Sequence, residues 1–404
     1  MSVATLAARA TYAAFIGSGF GFASWASRIP QVRDRLGLDA TALGLVLLAI
    51  AAGSVLSMPL SGPVVTRVGS RLTVTVTAVG MALSLVTVAV GYRVGLLPVL
   101  VGLFFLGVSN GSWDVAMNVQ GARVERLLGR SIMPRFHAGF SVGTVVGALL
   151  GAAMVALGIS VTLHLAVVAA IIGVVVPLTV RRFVPDFEPA TAPDDASAEP
   201  ALAGPAPRNA WLEPRTLLVG LIVLAFAFAE GTGNDWIGVA LIDGYGFSPA
   251  VATLGFAVFL AAMTTGRWFG PELLDRYGRV AVIRLLTAVS LVGLALFIFG
   301  THPVLAFGGA TLWGLGISLG FPVGMSAGAD DPARSAARVS VVATIGYLAF
   351  LGGPPLIGFL GDQITVLRAF TCVATLLALA LLITGNLRPV ASPLSPTAAQ
   401  RTPS

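Results

Sequence analysis

The sequence predicts an all-α membrane protein of twelve transmembrane helices, arranged as two pseudo-symmetric six-helix bundles. Composition is the first reason. Hydrophobic residues make up 56% of the 404 and charged residues 10%, against about 25% charged in soluble domains, so the chain needs lipid as its solvent. The second is length: apolar runs of about 20 residues, enough for a bilayer core of roughly 30 Å, recur along the whole chain. The third is repetition. Trp25, Leu43-Gly44 and Arg67-Val-Gly69 recur about 210 residues later as Trp236, Leu254-Gly255 and Arg276-Tyr-Gly278, and Leu106-Gly-Val-Ser-Asn-Gly111 recurs as Leu315-Gly-Ile-Ser-Leu-Gly320.

In order, the first six spans cover about 8–27, 41–64, 72–91, 95–118, 137–157 and 160–180. The first has one Arg, Arg9, at its start and no small-residue cleavage site, which reads as a retained helix rather than a signal peptide. These spans form an N-terminal bundle over 1–181. A linker over 182–213 follows, rich in Pro, Ala and acid, as in Pro185-Asp-Phe-Glu-Pro189 and Asp194-Asp-Ala-Ser-Ala-Glu199; it has little to bury and reads as a flexible cytoplasmic tether. Six more spans, about 215–241, 249–270, 280–300, 303–326, 338–359 and 366–386, make a C-terminal bundle over 214–387, and 388–404 reads as a disordered tail.

Charge sets the orientation. All 24 basic residues are Arg, and with a cytoplasmic N-terminus the loops on that side hold Arg67, Arg71, Arg123, Arg126, Arg181, Arg182, Arg276, Arg279 and others, while the far side holds Arg28, Arg33, Arg35, Arg93 and Arg368. That asymmetry predicts both termini in the cytoplasm and explains the pI near 10.4 without a nucleic-acid partner. A single cysteine, Cys372, and three scattered histidines give no metal spacing, and no phosphate-cradling loop or cofactor motif is present. A duplicated helical membrane unit of this kind is the mark of a secondary transporter, whose site lies between the repeats near the bilayer midplane. Its partners are then a small-molecule solute, a coupling proton and the lipid bilayer, with the protein acting as a monomer.

Ionisable residues within spans are expensive, about 2.5 kcal/mol or more each at a helix centre, so they mark candidate sites. Asp114 lies in the inner half of the fourth span with Asn118 one turn on, on the same side of the helix. It has two readings: a solute or proton role, or an ion pair with Arg123, Arg126 or Arg135 closing the cytoplasmic side. Glu230 lies near the middle of the seventh span, with Asn234 one turn on and Asp235 toward the outer end; with no Arg within a turn, Glu230 reads as a coupling or binding group rather than an interhelical hydrogen bond. Asp235 reads as a gate or a solvated end. Trp25 and Trp236 either stack on a solute ring or anchor at the interface. His137 offers a proton relay or an interfacial hydrogen bond, Arg28 is expected to snorkel to headgroups, and Arg267 to pair with Glu272 or Asp275.

Twelve spans in two halves, a central linker and a Gly-Arg loop signature present twice resemble the Major Facilitator Superfamily over nearly the whole chain. The signature stands as Gly62-Pro-Val-Val-Thr66-Arg67-Val-Gly69-Ser-Arg71 and as Asp275-Arg276-Tyr-Gly278-Arg279. Thr66 replaces the Asp usual in the family, so the resemblance implies a charge latch at Asp275 and not at the first copy. These loops, Arg67, Gly69 and Arg71 with Asp275, Arg276, Gly278 and Arg279, are the implied gating elements. Trp25-Ala-Ser-Arg-Ile-Pro30, Trp113-Asp-Val-Ala-Met-Asn118 and Phe136-His-Ala-Gly-Phe-Ser-Val-Gly143 are similar to a YbjJ-like branch related to the fucose permeases, which implies proton-coupled uptake of a polar metabolite such as a sugar. Export of an amphipathic compound is the alternative, though the fifth span lacks the proline of family exporters; a membrane sensor that binds without transporting is a third. The family further implies a seam between the bundles where the fifth span meets the eighth and the eleventh meets the second. Gly139, Gly143, Gly147 and Gly151 in the fifth span, and Gly346, Gly352, Gly353, Gly358 and Gly361 in the eleventh, are expected to smooth that seam.

Overall fold

A computed structural model of the chain describes residues 2–129, 132–186, 209–331 and 334–389. Most of the expected linker and tail, 187–208 and 390–404, lies outside the described residues. Regular structure among the described residues is entirely helical: α1 (Val3–Ala26), α2 (Ile29–Leu36), α3 (Ala40–Val68), α4 (Ser70–Gly91), α5 (Leu96–Leu128), α6 (Met133–Ala156), α7 (Val161–Val180), α8 (Pro214–Tyr245), α9 (Pro249–Tyr277), α10 (Arg279–Phe299), α11 (Pro303–Ile317), α12 (Gly320–Gly328), α13 (Ser335–Ile364), α14 (Val366–Ala369) and α15 (Thr371–Ile383), with two short 3-10 turns.

Among the described residues, eleven helical stretches are long and apolar enough to cross a membrane. The remaining member of the twelve is α1, whose 24 residues extend about 36 Å but are diluted by Arg9, Thr11, Tyr12 and Ser18. Many large apolar side chains stay exposed, among them Leu56, Leu60, Leu83, Leu163 and Leu382, as a lipid-facing surface requires. Three features differ from the expected spans. The loop after the first span is itself a helix, α2, which begins at Ile29-Pro30 because proline fits a first turn and stops at Gly37 in the left-handed region, φ 64°. The tenth span breaks near Ser318 into α11 and α12, and α5 runs 33 residues, ten beyond its expected end, which puts Asp114 at the helix middle.

Each half packs in the same pattern. In the first, α1 lies against α6, α3 and α4 against α5, and α4 against α7; in the second, α13 lies against α8 and α11 against α9 and α10. The halves meet where α6 touches α9 and α3 touches α13, with α2 added against α8, the pairings expected from the resemblance. The glycines divide differently. A Cβ at Gly143 would lie 2.2 Å from the Ile16 carbonyl oxygen and one at Gly147 2.7 Å from that of Phe20, so the α6 stripe seats α1 within its own half, contrary to the expected seam role. On α13, Gly358 meets the Ala40 carbonyl across the seam, 2.3 Å from a would-be Cβ, and Gly44 on α3 meets that of Pro354 at 2.4 Å.

Candidate functional site

Helices of alternating direction place Ser2, Asp186 and Glu213 at one face of the bundle, called here the terminal face, and Arg33, Asp243 and Asp362 at the opposite face. The opposite face is shut by contacts between halves. Arg33 on α2 grips both carboxylate oxygens of Asp243 on α8, Nη2 donating at 3.0 Å. Asp362 on α13 accepts from the backbone N–H groups of Ala40 and Thr41 at 3.0 and 2.8 Å, capping the N-terminus of α3, where orphan amides and the helix dipole favour an anion. Burial works against the charge on Arg33, yet its bonds to Asp243 and Asp34 outweigh burial and hold the guanidinium above its ordinary pKa. Around this latch lies a polar vestibule of about 1050 Å³ that includes Asp34, Asp39 and Arg368.

At the terminal face, the ion pairs that can be traced tie elements of one half together. Asp330 accepts from Arg279 at 2.6 Å and from Arg215 at 2.8 Å. Glu213 accepts from Arg338 at 2.7 Å and pairs with Arg334, and Asp186 accepts from the Ser70 hydroxyl at 2.9 Å. This corrects the expected latch: Asp275 is exposed and, among the described residues, makes no hydrogen bond or ion pair, while Asp330, on the loop after α12, holds Arg279. Arg67, Arg71 and Arg276 are exposed, and Arg276 lies over the Tyr277 ring at 5.2 Å.

Between the two faces, polar groups of both halves converge at mid-helix. Glu230, near the middle of α8, is held by Arg267 of α9, whose Nη2 donates to both carboxylate oxygens at 2.8 Å while Nε donates to the Ser318 carbonyl at 3.3 Å. The expectation of an unpaired Glu230, and of Arg267 pairing with Glu272 or Asp275, is therefore corrected: the partner is on the next helix, which spacing along α8 could not reveal. Pro322, four residues on, has no N–H to claim that carbonyl, which leaves it for Arg267. His137 of α6, exposed and edge-on to Phe15 at 5.1 Å, lies within electrostatic reach of Arg267 from the other half.

On the first half, Asn118 Nδ2 donates to Asp114 Oδ1 at 3.2 Å and to its carbonyl at 2.9 Å. Arg123 instead donates to the Asp186 carbonyl at 2.6 Å, so the pairing of Asp114 with Arg123 is not formed. Tyr347 on α13 lies within electrostatic reach of Asp114 across the cleft. Asn110 also faces this site, accepting from Ser18 at 3.2 Å; with Asp114 and Asn118 it forms an i, i+4, i+8 stripe that was legible in the sequence. Asn110, Arg267 and Tyr347 are the members that sequence reasoning missed.

The remaining candidates lie elsewhere. Trp25 and Trp236 are 2% and 0% exposed with indole N–H groups that find no acceptor, so neither presents a ring to a solute in this conformation. Arg28 does not snorkel: it is 2% exposed, donating to His164 Nδ1 at 2.9 Å and the Ile159 carbonyl at 3.1 Å. Burial lowers its pKa to about 10. Asn234 and Asp235 sit one turn beyond Glu230, toward the opposite face, in a small pocket between the halves.

Two bundles of six helices, one face shut across the seam and a polar cluster at mid-depth define a membrane transporter fold. The family model of the Major Facilitator Superfamily matches residues 10–340, and the chain belongs to that superfamily. It is similar to an uncharacterised MFS-type transporter of Yersinia pestis, 32% identical over 91% of this chain and 92% of that one. Among solved structures it is similar to a variant of the nucleoside transporter NupG, with a TM-score of 0.73 at 14% identity over 94% of this chain and 99% of that one. A bacterial homologue of the human lysosomal transporter Spinster, in an inward-facing and unoccupied conformation, gives a TM-score of 0.74 at 12% identity over 97% and 99%. At such identities the likeness to solved structures is one of fold.

Proposed function

We propose that this protein takes up a small polar, hydroxyl-bearing solute, a sugar or similar metabolite, by alternating access coupled to an inward cation gradient. The observation that carries the reading is the mid-depth cluster shared by both halves: Glu230 with Arg267 and His137, facing Asp114 with Asn118, Asn110 and Tyr347. Such a set offers charged and neutral donors alongside carboxylate and amide acceptors, which suits a solute rich in hydroxyls better than an amphipathic one. The local strings similar to the YbjJ-like branch support the same solute class. The arginine asymmetry supports a cytoplasmic terminal face and an inner-membrane location; the conformation described is then closed to the outside.

The cycle follows from the geometry. Solute bound between the halves exchanges contacts with both, and parting of Arg33 from Asp243 and of Asp362 from α3 opens the outer side while the inner side closes. The proton expected from the sequence needs a carboxylate free to titrate. Glu230 is committed to Arg267, which leaves Asp114 and Asp235 as the spanning groups able to meet the coupling ion.

A panel of sugars, polyols, nucleosides and amphipathic cations screened by thermal unfolding of the purified protein tests the solute class. A ligand at about 100 times its Kd adds about 2.7 kcal/mol of stability. A sugar or polyol is expected to stabilise the protein, and Glu230→Gln and Asp114→Asn are expected to weaken that response. Stabilisation by amphipathic cations alone would replace uptake with export.

A further inference from the structure

A pocket of about 10 Å³, room for one water-sized occupant, lies between the halves beside the shut face, walled by Ser27 and Pro30 from the first half and by Asn234, Asp235, Thr253 and Phe256 from the second. Its side-chain oxygens are free to accept, and its one spare side-chain donor is the Asn234 amide nitrogen. Among the described residues, Asp235 makes neither a hydrogen bond nor an ion pair, and Asn234 Oδ1 is buried with no donor. The Ser27 hydroxyl spends its proton on the Ser24 carbonyl at 2.8 Å and that of Thr253 on the Pro249 carbonyl at 2.8 Å, so each hydroxyl has only lone pairs left to offer. The charges nearby are already engaged: Arg28 by His164, Arg33 by Asp243 and Asp34, and Arg267 by Glu230.

We infer that this pocket is a sodium site, with Asp235 supplying the charge and Asn234, Ser27 and Thr253 supplying oxygens. A carboxylate on a membrane-spanning helix with no cation beside it favours a compensating charge, and side-chain oxygens from Asp235, Asn234, Ser27 and Thr253 around one small pocket fit a cation better than an anion. Hard cations take oxygen ligands, and a divalent ion would leave one carboxylate short of balancing it. The site also has a conformational consequence. Its wall is complete only while the halves touch, a Cβ at Gly238 coming 3.3 Å from Pro30 and one at Gly151 3.8 Å from Thr253, so an ion that binds there favours the state closed at the opposite face by its differential affinity. This deepens the coupling ion of the uptake reading and rests on that reading only for its role in transport.

The test uses the purified full-length chain with no solute, so its failure leaves the solute reading untouched. Thermal unfolding is followed in sodium, potassium and choline chloride at equal ionic strength and pH, with binding of radioactive sodium measured in parallel. Expected is a saturable, sodium-specific rise in Tm, abolished in Asp235→Asn. Because Asp235→Asn changes a buried position, Ser27→Ala serves as the second variant: it removes an oxygen contributed by the other half and should weaken sodium binding by about fivefold, near 1 kcal/mol. Equal behaviour in the three salts with no bound sodium overturns the site. So does a rise that follows pH instead of sodium and disappears in Asp235→Asn, which would make the occupant a proton.

Discussion

α6 and α13 both stand at the boundary between the halves and both carry repeated glycines, yet their closest backbone approaches are to different halves, even though Gly346 and Gly353 of α13 pack on α8 of their own half. On α6 they admit the carbonyls of α1, a partner in the same half; on α13, Gly358 admits the carbonyl of Ala40 from the other half. One helix uses close approach to build a bundle, and the other uses it where two bundles meet. Glycine spacing thus reports that a backbone comes near, while the identity of that backbone decides whether substitution damages folding or the transport cycle.

The sharpest way to break this contrast is Gly143→Leu. Its side chain would drive into the Ile16 carbonyl inside a fixed pair, and overpacking of this kind costs about 3 kcal/mol or more. Yield of folded protein and Tm should both fall steeply; a well-folded variant that fails only in transport would assign the α6 stripe to the moving seam after all. Gly358→Leu should behave in the opposite manner, because the halves can separate to relieve the clash. We expect near-normal yield and Tm, with the closed state disfavoured by about 2 kcal/mol, close to thirtyfold in population. Labelling of a cysteine introduced by Leu38→Cys in a Cys372→Ser background reads that shift, and unchanged labelling would show that the seam does not open there.

Asp362→Asn is a milder probe of the same seam. It removes the charge that caps α3 across the halves, worth about 1 kcal/mol, and the same labelling should rise about fivefold. The smallest effect is expected within one half, at Glu213. Burial alone would raise its carboxyl, but hydrogen bonds from Thr216 and Arg338 and the charges of Arg338 and Arg334 hold it below its ordinary 4.5. The folded state therefore favours the charged form, and the stabilisation is full at neutral pH and lost as pH falls below about 4.5 through the lowered value. Glu213→Gln should flatten the acid side of a Tm-against-pH curve without altering cysteine labelling.

Span number and the duplicated halves were legible because hydropathy and repeated punctuation are properties of one chain read in order, while the helix pairs at the seam came from the resemblance to the superfamily. The pair Asp114 and Asn118 was legible by the same reading in order, and Asn110, one turn before Asp114 on α5, could have been found by the same spacing but was missed. The partner of Glu230 was not legible, since Arg267 reaches it from a neighbouring helix, and neither was the burial of Arg28, whose acceptors lie on α7 and in the turn before it. The helix α2 escaped notice because its eight residues carry Arg and Asp at an interface, where hydropathy sees only a loop.

Gly69 and Gly278, the duplicated loop glycines, join α3 to α4 and α9 to α10 with φ of 85° and 77° and ψ of 157° and 158°. That combination belongs to a backbone region reserved almost wholly for glycine, so any other residue at either position distorts the corner between two membrane helices. Mutational scanning will accordingly find both positions intolerant, whatever the loops contribute to the cycle. Loss of activity there measures backbone geometry, and the gating role proposed for these loops has to be tested at Arg279 and Asp330, whose side chains can be changed while the turn is left intact.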